Sequence, residues 1–501
     1  MDKENSKSGE NKILVILFIA ISIFYVIYAT ISQRAMYLDG SLDFLSLLNA
    51  FEQGRYVIVS DPTHPRLFCD FATQLPINIA FFAFFIKSKY ILSLFFGFPY
   101  FLYPLLLLWG NYALSKRSKR FDIFVVSCLF YSLCVLLFQI FAIVELSTVS
   151  MVCLLLFHYL AADITYTKKD LTVIILLCLF IFAGHEFILF AGGAIFFASL
   201  LYASNATTEI NKKIKFNIGA SALAASLCMA LYILFNSDTQ NESLGFAKEM
   251  HDFLPHLFTM NTLLSLIAIV LLIVLYHKKE ILSKYSVIAV SALFLVVFNH
   301  MLHNLGTFLQ PMWEQHLRSI PCWSIPLIIL AISILDFANK KAPDIFWQNA
   351  LTIALICGIA QTGWQITHTY WWNKNIEYMQ TELAKSKTKL YIPEDHEEIS
   401  SFSNPELRRY IWYFSYAATS MIFSKDYEIK TLLCHYPNDN DPGNKKYREW
   451  LFVQDAKYFF IPTAKLLRKT HFWDVTKVTN ELDKYNKEHK IKTIIDERKD
   501  N

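Results

Sequence analysis

The first apolar run, Ile13–Ser32, gives way to the polar stretch Tyr37-Leu-Asp-Gly-Ser-Leu-Asp-Phe44, and Asp61-Pro-Thr-His-Pro-Arg66 follows within the same loop, residues 33–89. An apolar run of about 20 residues is long enough to cross a bilayer. The sequence therefore predicts a first membrane span that opens outward into a loop carrying acids, a histidine and an arginine. We expect the rest of the chain to cover this loop.

The composition indicates a polytopic membrane protein. Of the 501 residues, 54% are hydrophobic and 16% aromatic, and the mean hydropathy is +0.35, which is more apolar surface than a soluble domain needs. The formal net charge of +4 gives no reason to expect a nucleic-acid partner. Nine cysteines lie mostly within apolar runs and form no C-x-x-C pair, so they are predicted to be buried and free.

Further apolar segments raise the predicted total to about eleven transmembrane helices. Several are shorter than a straight span requires, which favours helices that are broken or capped inside the protein. After the first run, the segments are Tyr90–Leu114, Phe121–Ile143, Leu146–Ala161, Leu171–Gly184, Phe187–Tyr202, Phe216–Phe235, Leu263–Tyr276, Tyr285–Phe298, Cys322–Leu335 and Ile345–Gln361.

The lysines and arginines predict the orientation. If the run Gln74–Ile86 spanned the membrane, the basic cluster 116–120 would lie outside, against the tendency of Lys and Arg to stay in the cytoplasm. We therefore interpret that run as a helix embedded in the outer interface. Basic residues then recur on one side at 116–120, 168–169, 212–215, 278–284 and 340–341. Residues 1–12 are predicted to be cytoplasmic and the carboxyl end periplasmic.

The composition changes at Trp364, and Tyr370–Trp372 is typical of an aromatic belt at a membrane interface. Beyond it, mixed charge, turn-forming residues and short β-like runs at 389–392, 450–453 and 458–461 are typical of a small soluble domain of α/β or α+β class. We therefore predict an all-α membrane domain at 13–363 and a periplasmic domain at 364–501.

Ionisable side chains gather at the predicted outward ends of the spans. Such groups are costly in a membrane domain and usually face a cavity. Each of these residues also has an explanation that involves no functional site. Asp39 could cap a helix, and Asp43 could be solvated. His64 and Arg66 could pair with lipid headgroups, and His185 and Glu186 could satisfy each other. The predicted site residues are Asp39, Asp43, His64, Arg66, Glu145, His185, Glu186, His316 and Arg318.

A metal site is not predicted. His300 and His303 are three residues apart and could join His316, but three scattered histidines are a weak metal signal, and packing at the interface explains them better. The inward ends carry mainly lysines, for which the topology alone is a sufficient explanation.

The layout resembles the C-type glycosyltransferase fold. The shared features are an acid beyond the first span, a long outer loop with a His-Pro pair, a basic cluster after the second span, an acid at the outer end of span three, and a trailing outer domain. Members such as protein O-mannosyltransferases, the aminoarabinose transferase of lipid A and oligosaccharyltransferases use polyprenyl-phosphate-linked sugars. A paired acid common in that class is missing, since Gly40 follows Asp39. A divalent metal is therefore left open, and no cofactor is predicted.

The resemblance implies a role for each residue. Asp39 would be the catalytic base, Glu145 would orient the acceptor or the partner of Asp39, and Arg66, with His64 and Arg318, would hold the phosphate. Asp43, His185, Glu186 and His316 would contact the substrate.

The expected function is an integral glycosyltransferase of the bacterial inner membrane. It would move a sugar from a polyprenyl phosphate to a lipid, glycan or protein acceptor of the cell envelope, on the periplasmic side. Two alternatives stay open, namely a transporter or flippase for a lipid-linked or anionic substrate, and a noncatalytic envelope assembly protein. A transporter would more often show related halves and charges near the membrane midplane, and neither is visible in this sequence.

Overall fold

A computed structural model describes residues 2–37, 39–52, 54–59, 66–136, 145–182, 184–235, 313–338, 343–385, 390–391, 416–424, 431–432 and 484. These residues are predominantly helical. The first half contains α1 (Asp2–Ile31), a 3-10 turn (Arg34–Met36), α2 (Asp39–Glu52), α3 (Leu67–Phe82), α4 (Lys89–Ser118), α5 (Phe121–Phe130) continued by a π-helical turn (Tyr131–Val135), and α6 (Glu145–Ala161).

The second half continues with α7 (Lys168–Phe182), α8 (Ile188–Ser204), α9 (Glu209–Phe235), α10 (Trp313–Phe337), α11 (Asp344–Lys385) and α12 (Tyr416–Phe423). Two strands of two residues each, β1 (Leu390–Tyr391) and β2 (Thr431–Leu432), pair in parallel. β1 falls within the run predicted at 389–392, and the runs predicted at 450–453 and 458–461 lie outside the described residues. The division into domains stays a prediction.

Among the described residues, four helical segments are long and apolar enough to cross a membrane, namely Lys12–Ile31, Lys89–Ser118, Glu209–Phe235 and Asp344–Lys385. Shorter apolar helices include 121–135, Glu145–Ala161 and Ile188–Ser204. This supports a helical membrane protein. Each predicted span overlaps a described helix except Leu263–Tyr276 and Tyr285–Phe298, which lie outside the described residues, as does the end of Phe121–Ile143 from residue 137. The total of about eleven spans stays a prediction.

The helices alternate in direction, so the bundle has two distinct ends. Trp372 Nε1 donates to the carbonyl of Ser32 at 3.2 Å, which places the late part of α11 beside the end of α1. At the opposite end, Ser118 Oγ lies 3.1 Å from His158 Nε2, close to where α4 and α6 both finish. We call the first the loop end and the second the basic end. Which end faces the cytoplasm stays a prediction.

Helix α3 differs from the predicted interfacial helix in its bounds and in its polar face. It begins at Leu67 rather than Gln74 and ends at Phe82. Gln74 accepts from the amide of Val59 at 2.8 Å and donates to its carbonyl at 2.7 Å, and Asn78 donates to the carbonyl of Val57 at 3.1 Å. The polar face of α3 thus satisfies the backbone of the preceding segment. Its position relative to the membrane interface stays a prediction.

Helix α11 is continuous through the predicted domain boundary. It runs for 42 residues without a break through 363/364. Trp364 and Tyr370 are exposed, whereas Trp372 is fully buried, with its ring edge-on to Tyr37 at 5.5 Å and to Phe423 at 5.7 Å. A buried tryptophan needs a partner for its N–H, and the Ser32 carbonyl supplies one. Trp372 therefore packs inside the protein, and the aromatic belt stays a prediction.

The π-helical turn at Tyr131–Val135 is fixed by side chains from α5 and α11. Ser132 Oγ donates to the carbonyl of Ala354 at 2.8 Å, and Gln365 Nε2 donates to the carbonyl of Leu136 at 2.7 Å. A π turn leaves carbonyls outside the regular helical ladder, and the Gln365 amide satisfies one of them. As predicted, the cysteines described are free, and all but Cys228 are buried.

Candidate functional site

Arg66 lies at the loop end, where three helices begin. It directly precedes α3, Glu145 is the first residue of α6, and Glu186 stands two residues before α8. Arg66 Nη1 is 3.3 Å from Glu145 Oε2, and Arg66 Nε is 3.4 Å from Glu186 Oε2. Acidic residues at helix starts are stabilised by the partial positive charge of the unpaired amides. The sequence thus brings two carboxylates and one guanidinium together from three separate helix starts.

The charge of Arg66 is secured by its acidic neighbours. Burial disfavours the charged form, but the carboxylates of Glu186, Glu145 and Asp70 outweigh burial and raise the pKa of the guanidinium above its usual value. Each carboxylate is held through one nitrogen at a distance longer than the 2.7–2.9 Å typical of such pairs. Arg66 is therefore permanently charged and loosely held.

His185 contacts both its own backbone neighbour and Glu186. The amide of Phe187 donates to His185 Nδ1 at 3.1 Å, and the same nitrogen lies 3.2 Å from Glu186 Oε2. The expected contact between His185 and Glu186 is therefore present, and Glu186 also reaches Arg66.

The first-loop helix α2 reaches the same region through aromatic contacts. Phe44, the residue after Asp43, packs on Phe96 at 5.6 Å, and Phe96 packs at 5.5 Å on Tyr100, which is only 3% exposed. Carboxylates exceed cations among the charged side chains of this region, so a hydroxyl that enters meets several proton acceptors. We use the name Arg66 cluster for Asp43, Arg66, Asp70, Tyr100, Glu145 and Glu186.

Several of the predicted site residues meet in the structure. Asp43, Arg66, Glu145, His185 and Glu186 lie together at the loop end. The backbone of Asp39 begins α2, but its side chain lies outside the described part of the chain, as do His64 and the side chains of His316 and Arg318. Their predicted roles are not tested.

Two members of the Arg66 cluster were missed by sequence reasoning. Asp70 follows Arg66 by four residues, a helical spacing that could have been noticed. Tyr100 sits inside an apolar run, where no local pattern distinguishes it from packing aromatics.

The basic end holds a polar network that was expected to need no explanation beyond topology. Arg117 donates to both oxygens of Asp170 at 2.7 and 2.9 Å. Arg120 binds Asp122 at 2.7 and 3.0 Å and Asp336 at 2.6 Å. These are short, largely bidentate pairs that connect helices α4, α5, α7 and α10. The expectation for the lysines stays a prediction, and the arginines of this end additionally pair with carboxylates of neighbouring helices.

No group of three His, Cys, Asp or Glu side chains within the described ranges is arranged to hold a metal ion. The side chains of Asp39, His64, His300, His303 and His316 lie outside those ranges, so the prediction that the site uses no metal stays untested.

Comparison with protein-family models, with curated proteins and with solved structures finds no match for this chain. The resemblance to C-type glycosyltransferases therefore stays a prediction. The chemistry of the site has to be argued from its own residues.

Proposed function

We propose that this protein is an integral membrane glycosyltransferase that moves a sugar from a polyprenyl phosphate to a hydroxyl of a lipid, glycan or protein acceptor. The observation that carries the proposal is the position of Arg66 at the end of an apolar bundle, where it contacts Glu145 and Glu186 and keeps further N–H donors. A guanidinium with donors to spare is well suited to bind phosphate. We place this end on the periplasmic side of a bacterial inner membrane.

The contacts of Arg66 support a role in phosphate binding. Its two described carboxylate contacts use Nε and Nη1. A guanidinium has five N–H donors, so donors remain for a third group that bears oxygen atoms. Because both contacts are long, a phosphate oxygen can replace a carboxylate oxygen at small cost. Arg66 would then stabilise the phosphate as negative charge develops on it.

The transfer itself needs a proton acceptor. The acceptor oxygen attacks the anomeric carbon, the bond from that carbon to the phosphate oxygen breaks, and its electron pair leaves with the polyprenyl phosphate. The hydroxyl proton goes to a carboxylate, a role worth about 10²- to 10⁴-fold in rate. We propose Asp39 as this base, with Glu145 orienting the acceptor. Asp43, His185 and Glu186 would contact the sugar.

The distribution of charge favours a transferase over a transporter. Ion pairs between the bundle helices, among the residues described, lie at the two ends of the bundle. A transporter would concentrate charge near the midplane, between related halves.

The test compares one arginine from each end. Native membranes supply the acceptor, and the probes are polyprenyl phosphates that carry radiolabelled glucose, mannose, N-acetylglucosamine or aminoarabinose. With membranes matched for protein amount, Arg66→Gln is expected to lower label transfer at least about a hundredfold, since it removes the charge that binds phosphate. Arg117→Gln is the matched control and should keep transfer within about threefold per folded molecule, because its loss acts on packing.

Label transfer by Arg66→Gln membranes at the wild-type rate would reject the phosphate role of Arg66. Absence of transfer with every donor in wild-type membranes, compared with membranes that lack the protein, would reject the glycosyltransferase.

A further inference from the structure

Helix α12 is packed onto the first-loop helix, although more than 360 residues separate them in the chain. Its residues 418–423 and the following Ser424 are all buried. Thr419 Oγ1 donates to Ser41 Oγ at 3.0 Å, and both residues are almost fully buried, at 3% and 0% exposure. The contact between α12 and α2 is therefore specific and dry.

The far end of α12 is anchored independently of α2. The Phe423 ring packs edge-on against Trp372 at 5.7 Å, and Gln380 Nε2 donates to the Phe423 carbonyl at 3.1 Å. Lys89, the first residue of α4, donates from Nζ to both the carbonyl and the hydroxyl of Ser424 at 3.3 Å. Three fixed points on α11 and α4 hold α12 in place.

Helix α2 therefore lies between α12 and the Arg66 cluster. Ser41 and Asp43 are two positions apart in a helix, which separates their side chains by about 200° around its axis. Ser41 faces α12, whereas Phe44, the residue after Asp43, packs on Phe96 of α4 at 5.6 Å, and Phe96 packs on Tyr100 at 5.5 Å. A shift of α2 away from α12 would move Asp43 by a similar amount relative to the cluster.

We propose that α12 is a clasp that sets the position of α2 and, through it, of Asp43. Ser41 and Thr419 are then positioning residues of the candidate site, and the carboxyl-terminal part of the chain is coupled to the site by way of α12. The activity part of this inference rests on the proposed function. Its structural part does not.

The structural part is tested by hydrogen exchange on the full chain in nanodiscs. Ser41→Ala and Thr419→Val each remove one hydroxyl of the pair and little volume. Each is expected to raise amide exchange in α2 about fivefold, the loss of one net buried hydrogen bond. The double variant should raise exchange by less than the two single effects combined, because both single variants remove the same contact. Amides of α6 serve as the internal reference.

Ser333→Ala is the matched control, because Ser333 is a buried serine that donates only to Ile329 within its own helix, at 2.7 Å. It should leave exchange in α2 unchanged. Where a variant lowers the yield, exchange is read from the folded fraction isolated by size exclusion. Unchanged exchange in α2 in both single variants, or effects that add fully in the double variant, would overturn the clasp.

The activity part uses the labelled polyprenyl phosphates already named. Ser41→Ala and Thr419→Val should lower kcat about tenfold with KM for the donor changed by less than about threefold, since a shift of α2 displaces its first residue, the proposed base Asp39, while Arg66 stays in place. Ser41→Thr and Thr419→Ser keep the hydroxyls and should restore wild-type kcat. Wild-type kcat in the hydroxyl deletions would reject the positioning role. If wild-type protein transfers no sugar, the proposed function fails, and the exchange measurement still decides on the clasp.

Discussion

The two ends of the helical bundle both contain arginines that face carboxylates, yet they are built differently. At the basic end, Arg117 and Arg120 make short contacts of 2.6 to 3.0 Å, most of them bidentate. At the loop end, Arg66 reaches Glu145 and Glu186 through single contacts of 3.3 and 3.4 Å. Short bidentate pairs hold helices together, whereas single long pairs can be exchanged for a ligand. Contact geometry thus distinguishes a structural ion pair from a candidate binding site.

His158 at the basic end and His185 at the loop end also have different surroundings. His158 Nδ1 lies 3.0 Å from Asn111 Oδ1 and its Nε2 lies 3.1 Å from Ser118 Oγ, so neutral groups engage both ring nitrogens. His185 has Nδ1 fixed by the Phe187 amide and sits beside the Arg66 cluster. Of the two, His158 is fully buried and serves packing.

The largest loss of stability is expected when Arg120 is removed from the basic end. In Arg120→Met, the carboxylates of Asp122 and Asp336 lose their partner in a site where Arg120 is only 12% exposed. Removing one partner of a buried pair costs about 3–5 kcal/mol, so the free energy of unfolding should fall by that amount. Thermal unfolding in detergent measures it. Sugar transfer per folded molecule should stay unchanged, and a stability loss below about 1 kcal/mol would mean that the network is not structural.

A smaller effect is expected from His158→Leu. The substitution leaves the Asn111 side-chain oxygen and the Ser118 hydroxyl without their imidazole partner in a buried position. An unsatisfied buried polar group costs about 1–3 kcal/mol, so the unfolding free energy should decrease within that range. The matched variant at the loop end is His185→Asn, which keeps an acceptor near the Phe187 amide and should change stability by less than about 1 kcal/mol. Equal losses in the two variants would contradict the distinction.

The smallest effect on stability is expected from Glu186→Gln, which tests how tightly Arg66 is held at the loop end. Arg66 keeps Glu145, and the side-chain oxygen of Gln can still accept from Arg66 in place of the Glu186 oxygen at 3.4 Å. The free energy of unfolding should therefore change by less than about 1 kcal/mol. Chemical denaturation of the purified protein detects such a difference. A loss as large as that of Arg120→Met would show that Arg66 is held as tightly as the arginines of the basic end.

Much of this arrangement is predictable from the sequence, and the limits have physical causes. Apolar runs predict most of the described helices, and their alternation places Asp43, Arg66, Glu145 and Glu186 at one end. The pairing of Arg117 with Asp170, 53 residues away, depends on how α4 packs near α7, which no local pattern encodes. The same holds for Tyr100. The continuity of α11 was missed because a change in composition does not require a break in the backbone.

The length of α11 has a mechanical consequence. Trp372 marks the level at which α1 ends, and Lys385, the last residue of α11, lies 13 residues further along the same helix. At about 1.5 Å per residue, α11 extends about 20 Å beyond that level. Helix α12 lies beside this extension, because Gln380 Nε2 donates to the Phe423 carbonyl at 3.1 Å. Shortening α11 by one turn between Trp372 and Gln380 would shorten this extension by about 5 Å. Such deletions would show how the position of the carboxyl-terminal region depends on the length of α11 beyond Trp372.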